Sequence, residues 1–183
     1  MPQPIVIVDA CVLLNLLASE KAEDILHAFD HQYLISEKAA EESLFLRVED
    51  SDPNPFKQVT LDNLVQIGLL KLCAPENLVE DAHYVNLASE LRGDGEAMSI
   101  AIAHARGYKI ATDDRKARGV FLKTTQDTSR LHYTSDLVRA WAEKEAIATL
   151  QLQETLLKIR QRATFFPPKR DPNHAWWMRF LVS

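Results

Sequence analysis

Short apolar runs alternate along this chain with longer stretches of helical periodicity. Pro4–Val8 is a continuous β-branched apolar run, of the kind buried on both faces of a parallel sheet, and it stops abruptly at Asp9. Residues 10–18 and 20–30 follow with helical spacing. A second short apolar stretch, Tyr33–Ile35, leads into a helix predicted from a Ser36 cap to about Val48. The polar, proline-broken EDSDPNPF of residues 49–56 reads as a loop or the tip of an insertion. Thr60 opens a short helix that carries to Gly68, and LLKLCAP alternates as a strand closed by Pro75. Residues 77–91 and 95–106 are predicted as two helices split by the turn RGDG, and Gly107 stops the second. Tyr108–Thr112 is a further strand that ends in two aspartates. A helical turn over 115–119, a weaker strand at Arg130–Tyr133 and helices over 135–146 and 148–163 complete the pattern. The tail after them starts with a double proline and finishes in an aromatic cluster, which predicts a docked C-terminal arm.

Strands alternating with helices predict an α/β domain over residues 1–146, a three-layer sandwich with a mainly parallel central sheet. A helical C-terminal extension over 147–183 is expected to dock on that domain or on a partner. Open sheets of this kind bind ligands beyond the carboxyl ends of their strands. Asp9 and the pair Asp113/Asp114 are both expected at such ends, although about a hundred residues separate them.

Composition narrows the chemistry. The 183 residues, 46% of them hydrophobic, suffice for one conventional core and a short appendage. No apolar run approaches the roughly 20 residues that span a bilayer. The first aspartate arrives too early for a secretory signal, so a cytoplasmic location is expected. Two cysteines, Cys11 and Cys73, are too few for a disulfide framework and are expected to be buried free thiols. Among six histidines the one helical pair, His27 and His31, lacks the glutamate and third ligand of a zinc hydrolase. With five glycines there is no phosphate-cradling glycine-rich loop. The net charge of −5 hides an asymmetry: residues 1–100 carry 18 acids and 6 bases, and residues 101–183 carry 8 acids and 15 bases. A polyanion could therefore still find a basic surface.

Dispersed acids are the candidate chemistry. Hard cations such as Mg²⁺ take oxygen ligands, commonly one or two carboxylates with waters and phosphates. Asp9 ends the first strand. Glu42, or its neighbour Glu41, lies on the helix expected from Ser36, with only one of the two able to face Asp9. Glu96 falls in the first turn of the helix after RGDG, for which Asp94 is a plausible N-cap. In YKIATDDRKARG a strand delivers Asp113 and Asp114 beside Arg115, Lys116 and Arg118, which are candidates to hold phosphates.

Four segments in order, IVIVDACVLLNLL, ISEKAAEES, GDGEAMSIAIAHARG and IATDDRKAR, make residues 4–145 similar to the PIN-domain family of metal-dependent ribonucleases, which includes VapC-type toxins. The resemblance implies catalytic roles for Asp9, Glu42, Glu96 and Asp113 or Asp114, the TxD pattern favouring Asp114. It implies Mg²⁺, with Mn²⁺ as a substitute, held by Asp9, Glu96 and Asp114. It also implies an RNA substrate, and an antitoxin protein as partner where the toxin role applies. Asn15 and Thr134 or Ser135 resemble auxiliary polar positions. The loop at 49–56 and the tail after about 146 make the chain longer than a compact toxin. The apolar helices are compatible with a homodimer. Competing readings are a catalytically weak or inactive PIN-like binding module, a dehalogenase-like phosphatase and a phospho-receiver domain. The phosphatase would need a second aspartate where Cys11 stands, and the receiver would need its paired acids after the first strand.

Overall fold

The computed structural model describes residues 3–48, 54–91 and 93–181. The chain divides into two units, each assembled from three separated stretches. The first comprises residues 1–12, 30–42 and 61–133, and the second residues 13–29, 43–60 and 134–183.

The first unit is built on a five-stranded sheet. Its strands are β1 (Ile5–Val8), β2 (Gln32–Ser36), β5 (Leu70–Cys73), β6 (Lys109–Ala111) and β7 (Leu131–His132), in the order β5-β2-β1-β6-β7. Each of its four pairings is parallel, with Ile7 opposite Leu34 on one side and Ile110 on the other. Val6, Ile7 and Val8 have no exposed surface, which is why β1 reads as an unbroken apolar run rather than an alternating one. The chain starts in the middle of the sheet, adds β2 and β5 on one side, then returns to add β6 and β7 on the other. The order therefore reverses between β1 and β6, and the crevice beyond their carboxyl ends is the position where such sheets bind ligands.

Helices α3 (Glu37–Ala40), α4 (Asp62–Gln66), α5 (Leu78–Glu90), α6 (Asp94–Arg106) and α7 (Arg115–Thr125) belong to this unit. The core of α6 is Ala97, Ile100, Ala101, Ile102 and Ala103, small and branched residues with no exposed surface that let the helix lie close on the sheet. Its end is set by Gly107 at φ 70°, in the left-handed region, with the Tyr108 amide donating to the Ala103 carbonyl at 2.9 Å. Arg106 clamps the neighbouring helix. Its Nε and Nη2 donate to both oxygens of buried Glu80 at 2.9 and 2.7 Å, and Nη2 also donates to the Ala74 carbonyl at 2.7 Å.

The second unit holds α1 (Ala10–Ala18) from Leu13 onward, α2 (Ala22–His27), a hairpin of β3 (Leu44–Arg47) and β4 (Phe56–Val59), α8 (Thr134–Lys144), α9 (Thr149–Arg162) and α10 (His174–Leu181). α10 packs against α9. Trp177 is fully buried there, edge-on to Phe165 with centroids 5.7 Å apart.

Most expected elements appear, with four corrections. The helix expected from Ser36 to Val48 ends at Ala40, and Leu44–Arg47 pairs antiparallel with Phe56–Val59. Its helix-forming composition concealed the two-residue alternation of LFLR, whose leucines are buried while Phe45 and Arg47 face out. The turn expected over 115–119 is a full helix to Thr125, because Ala117, Val120 and Phe121 supply a buried stripe across Gly119. His31 lies beyond the end of α2, so His27 and His31 are not a helical pair. Finally, Asp94 is the first residue of α6 rather than its cap, which is Gly93. Of the loop predicted over 49–56, residues 49–53 lie outside the described residues.

Candidate functional site

The crevice beyond β1 and β6 is built from the sheet outward. The Asp9 amide donates to the Ala111 carbonyl at 2.9 Å, extending the β1–β6 ladder by one residue and fixing where the side chain leaves the sheet. Its carboxylate is 4% exposed and fully engaged. Oδ1 accepts from the Ala10 amide at 2.8 Å, and Oδ2 accepts from Thr112 Oγ1 at 2.8 Å and from Cys11 Sγ at 3.1 Å. The Thr112 hydroxyl also accepts from the Asp114 amide at 3.2 Å. One buried threonine thus holds both the side chain of Asp9 and the backbone of the DD segment.

Glu96 and Glu42 approach from α6 and from the turn after α3. Ser36 joins these elements. Its Oγ caps α3 by accepting from the Ala39 amide at 3.2 Å, donates to the Gly95 carbonyl at 3.2 Å, and lies 2.9 Å from Ser99 Oγ. Gly95 is required by this closeness, since a Cβ there would stand 2.8 Å from the Ala39 Cα and would also collide with the Glu42 carboxylate. Asp9, Glu41, Glu42, Asp94 and Glu96 line one open cleft of about 420 Å³, together with Cys11 and Lys38.

The electrostatics follow from this gathering. Burial pushes the Glu96 carboxyl up to about 7, reinforced by the charges of Asp114, Asp9 and Glu42. Burial raises Asp9 as well, with Asp114 adding to it against the hydrogen bonds that favour the carboxylate. Glu42 is raised by burial and by Asp9. Glu41 instead pairs with exposed Lys38 at 2.9 Å, so Glu42 is the one of the two that couples to Asp9.

Asp114 caps α7, its Oδ1 accepting from the amides of Lys116 and Ala117 at 2.7 and 2.8 Å. It couples by charge to Asp9 and Glu96. Burial pushes the Cys11 thiol well up, and the charges of Asp9 and then Asp113 add to it. Among the described residues, no three histidine, cysteine, aspartate or glutamate side chains converge on one ion-sized position.

Of the candidate phosphate-holding bases, Arg115 and Lys116 are exposed at the start of α7, with Lys116 Nζ donating to the Glu90 carbonyl. Arg118 is buried, its guanidinium 4.8 Å from the centroid of the Tyr133 ring. In the second unit, Asn15 Nδ2 donates to Thr134 Oγ1 at 3.1 Å, and Ser135 Oγ donates to both Asp171 oxygens at 2.8 and 2.9 Å.

Three contributors escaped the sequence reading. Cys11, expected to be a buried thiol, is partly exposed and lines the cleft; Cys73 is buried as expected. Lys38 is the cleft's base. Thr112 is legible only as the first letter of TxD, a spacing that puts its hydroxyl two residues before the acid whose amide it accepts. No family model matches this chain, and no curated protein or solved structure matches it.

Proposed function

We propose that this chain is a Mg²⁺-dependent endoribonuclease on a three-layer PIN-like fold, with residues 1–146 as its nuclease domain and phosphodiester hydrolysis taking place at the cleft beyond β1 and β6. One observation carries the reading: Asp9, Glu42 and Glu96, from three separate stretches of chain, line one open cleft, and their charges act on one another, with that of Asp114 acting on Asp9 and Glu96. Carboxylates gathered this way repel unless protons or a cation intervene.

The donor set suits a hard cation, since all four side chains offer oxygen and Mg²⁺ needs only one or two carboxylates beside water and phosphate. Asp9, Glu96 and Asp114 would hold it, and Mn²⁺ takes the same ligands. When bound, such an ion activates a water and stabilises the departing oxygen. The chain's own residues supply the placement. Thr112 and the Ala10 amide orient the Asp9 carboxylate, and Ser36 with Gly95 brings Glu42 and Glu96 to the same cleft. Arg115 and Lys116 at the exposed start of α7 would neutralise RNA phosphates. The toxin role and an antitoxin partner enter through the resemblance of the four segments alone, while a homodimer and a cytoplasmic setting rest on the reading of the apolar pattern along the sequence. Among the described residues no helix is long and apolar enough to cross a membrane.

Among the described residues no three ligand side chains converge, which favours a second reading, an inactive or weak PIN-like module that acts by binding RNA or protein. RNA cleavage with Mg²⁺ or Mn²⁺ separates the two. The wild-type chain is expected to cleave, and Asp9→Asn or EDTA to reduce cleavage to background. Cleavage that survives either treatment would remove the site, and binding by the wild type without cleavage selects the second reading.

A further inference from the structure

We infer that the second unit carries a docking surface of its own for single-stranded nucleic acid, made by α9 and the outward face of the β3–β4 hairpin. It goes beyond the cleavage reading, because it uses neither the acidic cleft nor a divalent ion.

In a chain whose net charge is −5, one depression of about 660 Å³ is lined by four bases, Arg47, Lys158, Arg160 and Arg162, and by a single acid, Glu20. Glu20 accepts from Lys158 Nζ at 2.8 Å and from Arg162 Nη1 at 2.6 Å, and Lys158 also pairs with Glu154 at 2.8 Å. These carboxylates hold the two inner bases in place while leaving their side chains 32% and 29% exposed. The basic hold is strong enough to draw the Glu20 carboxyl below its ordinary range, chiefly through Lys158. Arg160 is exposed, its guanidinium packed 5.8 Å from the Phe166 ring centroid. Bases therefore outnumber acids on this lining, and a chain of phosphates is the ligand whose charge complements it.

The hairpin supplies the other half of the recognition. Phe45 is opposite Gln58 and Arg47 is opposite Phe56, so both phenylalanine rings and Arg47 emerge on one face of the pair. The rings are 48% and 53% exposed. They are diagonal neighbours, roughly 7–8 Å apart at the backbone. Exposed aromatic rings beside a phosphate-binding groove are stacking platforms for bases, and a duplex keeps the faces of its bases hidden. A free phosphate or a polyanion without bases would have no use for the rings, which is why a single strand is favoured.

The test is fluorescence anisotropy of the full chain with a labelled single strand of about 20 nucleotides, longer than one typical site. EDTA is present throughout, so cleavage plays no part. The exposed-surface variant Arg47→Glu/Arg160→Glu is expected to weaken binding by at least about 10-fold and to reduce the salt slope by about 1.4, two phosphates at roughly 0.7 each. Phe45→Ala/Phe56→Ala is expected to weaken the single strand by about 10-fold or more while leaving heparin binding unchanged. Unaltered affinity in the charge variant overturns the inference, as does equal loss of heparin and oligonucleotide in the aromatic variant. Wild-type binding to duplex as tight as to single strand overturns it too, and circular dichroism melts verify the fold of each variant. If a reversed charge disturbs folding, Arg47→Gln/Arg160→Gln decides in its place, by the same loss of affinity and slope. A chain that cleaves RNA but shows none of these losses refutes this surface alone, and one that shows them without cleaving refutes the nuclease reading alone.

Discussion

At the scale of single residues, the cleft depends on side chains that do no chemistry themselves. Thr112 is fully enclosed, donates to Asp9 and accepts from the amide of Asp114. Thr112→Val keeps the shape and removes both bonds. Losing a hydrogen bond that orients a metal-holding carboxylate typically lowers activity about 10–100-fold, so the proposed RNA cleavage should fall by that much while the thermal midpoint drops only slightly. Gly95 is the opposite case, a residue needed for what it lacks. Gly95→Ala forces a methyl group to within 2.8 Å of the Ala39 Cα, where backbone must give way. The expected cost is about 1–3 kcal/mol in denaturant unfolding, accompanied by lost cleavage as Glu42 is displaced. Asp9 and Glu96 were legible in the sequence because a carboxylate at a strand end and another in a first helical turn are recognisable positions. Cys11, Lys38 and Thr112 were not, since a thiol, a lysine and a hydroxyl acquire meaning only from the acid beside them in space.

At the scale of elements, α5 and α6 are joined by the bidentate pair of Arg106 with Glu80, whose side chains are 14% and 3% exposed. The guanidinium of Arg106 holds the Glu80 carboxyl down at about 2, below its ordinary 4.5. Between those values the unfolded chain binds more protons at this site than the folded one. The stabilisation is therefore complete above about pH 4.5 and is lost as the pH falls toward about 2. Melts taken between pH 5 and 2 should show this acid loss in the wild type and a weaker one in Glu80→Gln. Arg106→Ala at neutral pH leaves Glu80 buried and unpaired, and should cost roughly 3 kcal/mol. The strands β1, β2, β5 and β6 and the helix α6 were legible because each has a strong period or a hard stop. The β3–β4 hairpin was not, since four residues of alternation were outweighed by the helix-forming EKAAEES before them. Only a turn of α7 was legible over 115–119, yet Gly119 faces open space and leaves the buried stripe to Phe121 intact.

At the scale of the molecule, the proposed divalent ion, binding the folded cleft and not the unfolded chain, would stabilise the unit that holds the cleft. Adding Mg²⁺ to about 100 times its dissociation constant should raise stability by roughly 2.7 kcal/mol, read as a higher melting temperature, and Asp9→Asn should show no such rise. A parallel sheet was legible from alternating runs, and with it the placing of the carboxyl ends of β1 and β6 side by side. The division into two units was not, because nothing in hydrophobic periodicity marks where the chain leaves one and enters the other.

That division has a consequence for synthesis. The chain passes between its units at residues 12/13, 29/30, 42/43, 60/61 and 133/134, so neither is a contiguous segment. A ribosome must deliver His132 before the first unit has all its strands, and Leu181 before the second has the whole of α10. Gene truncation at 146 would therefore keep every stretch of the first unit and take α9, α10 and the buried Trp177 from the second.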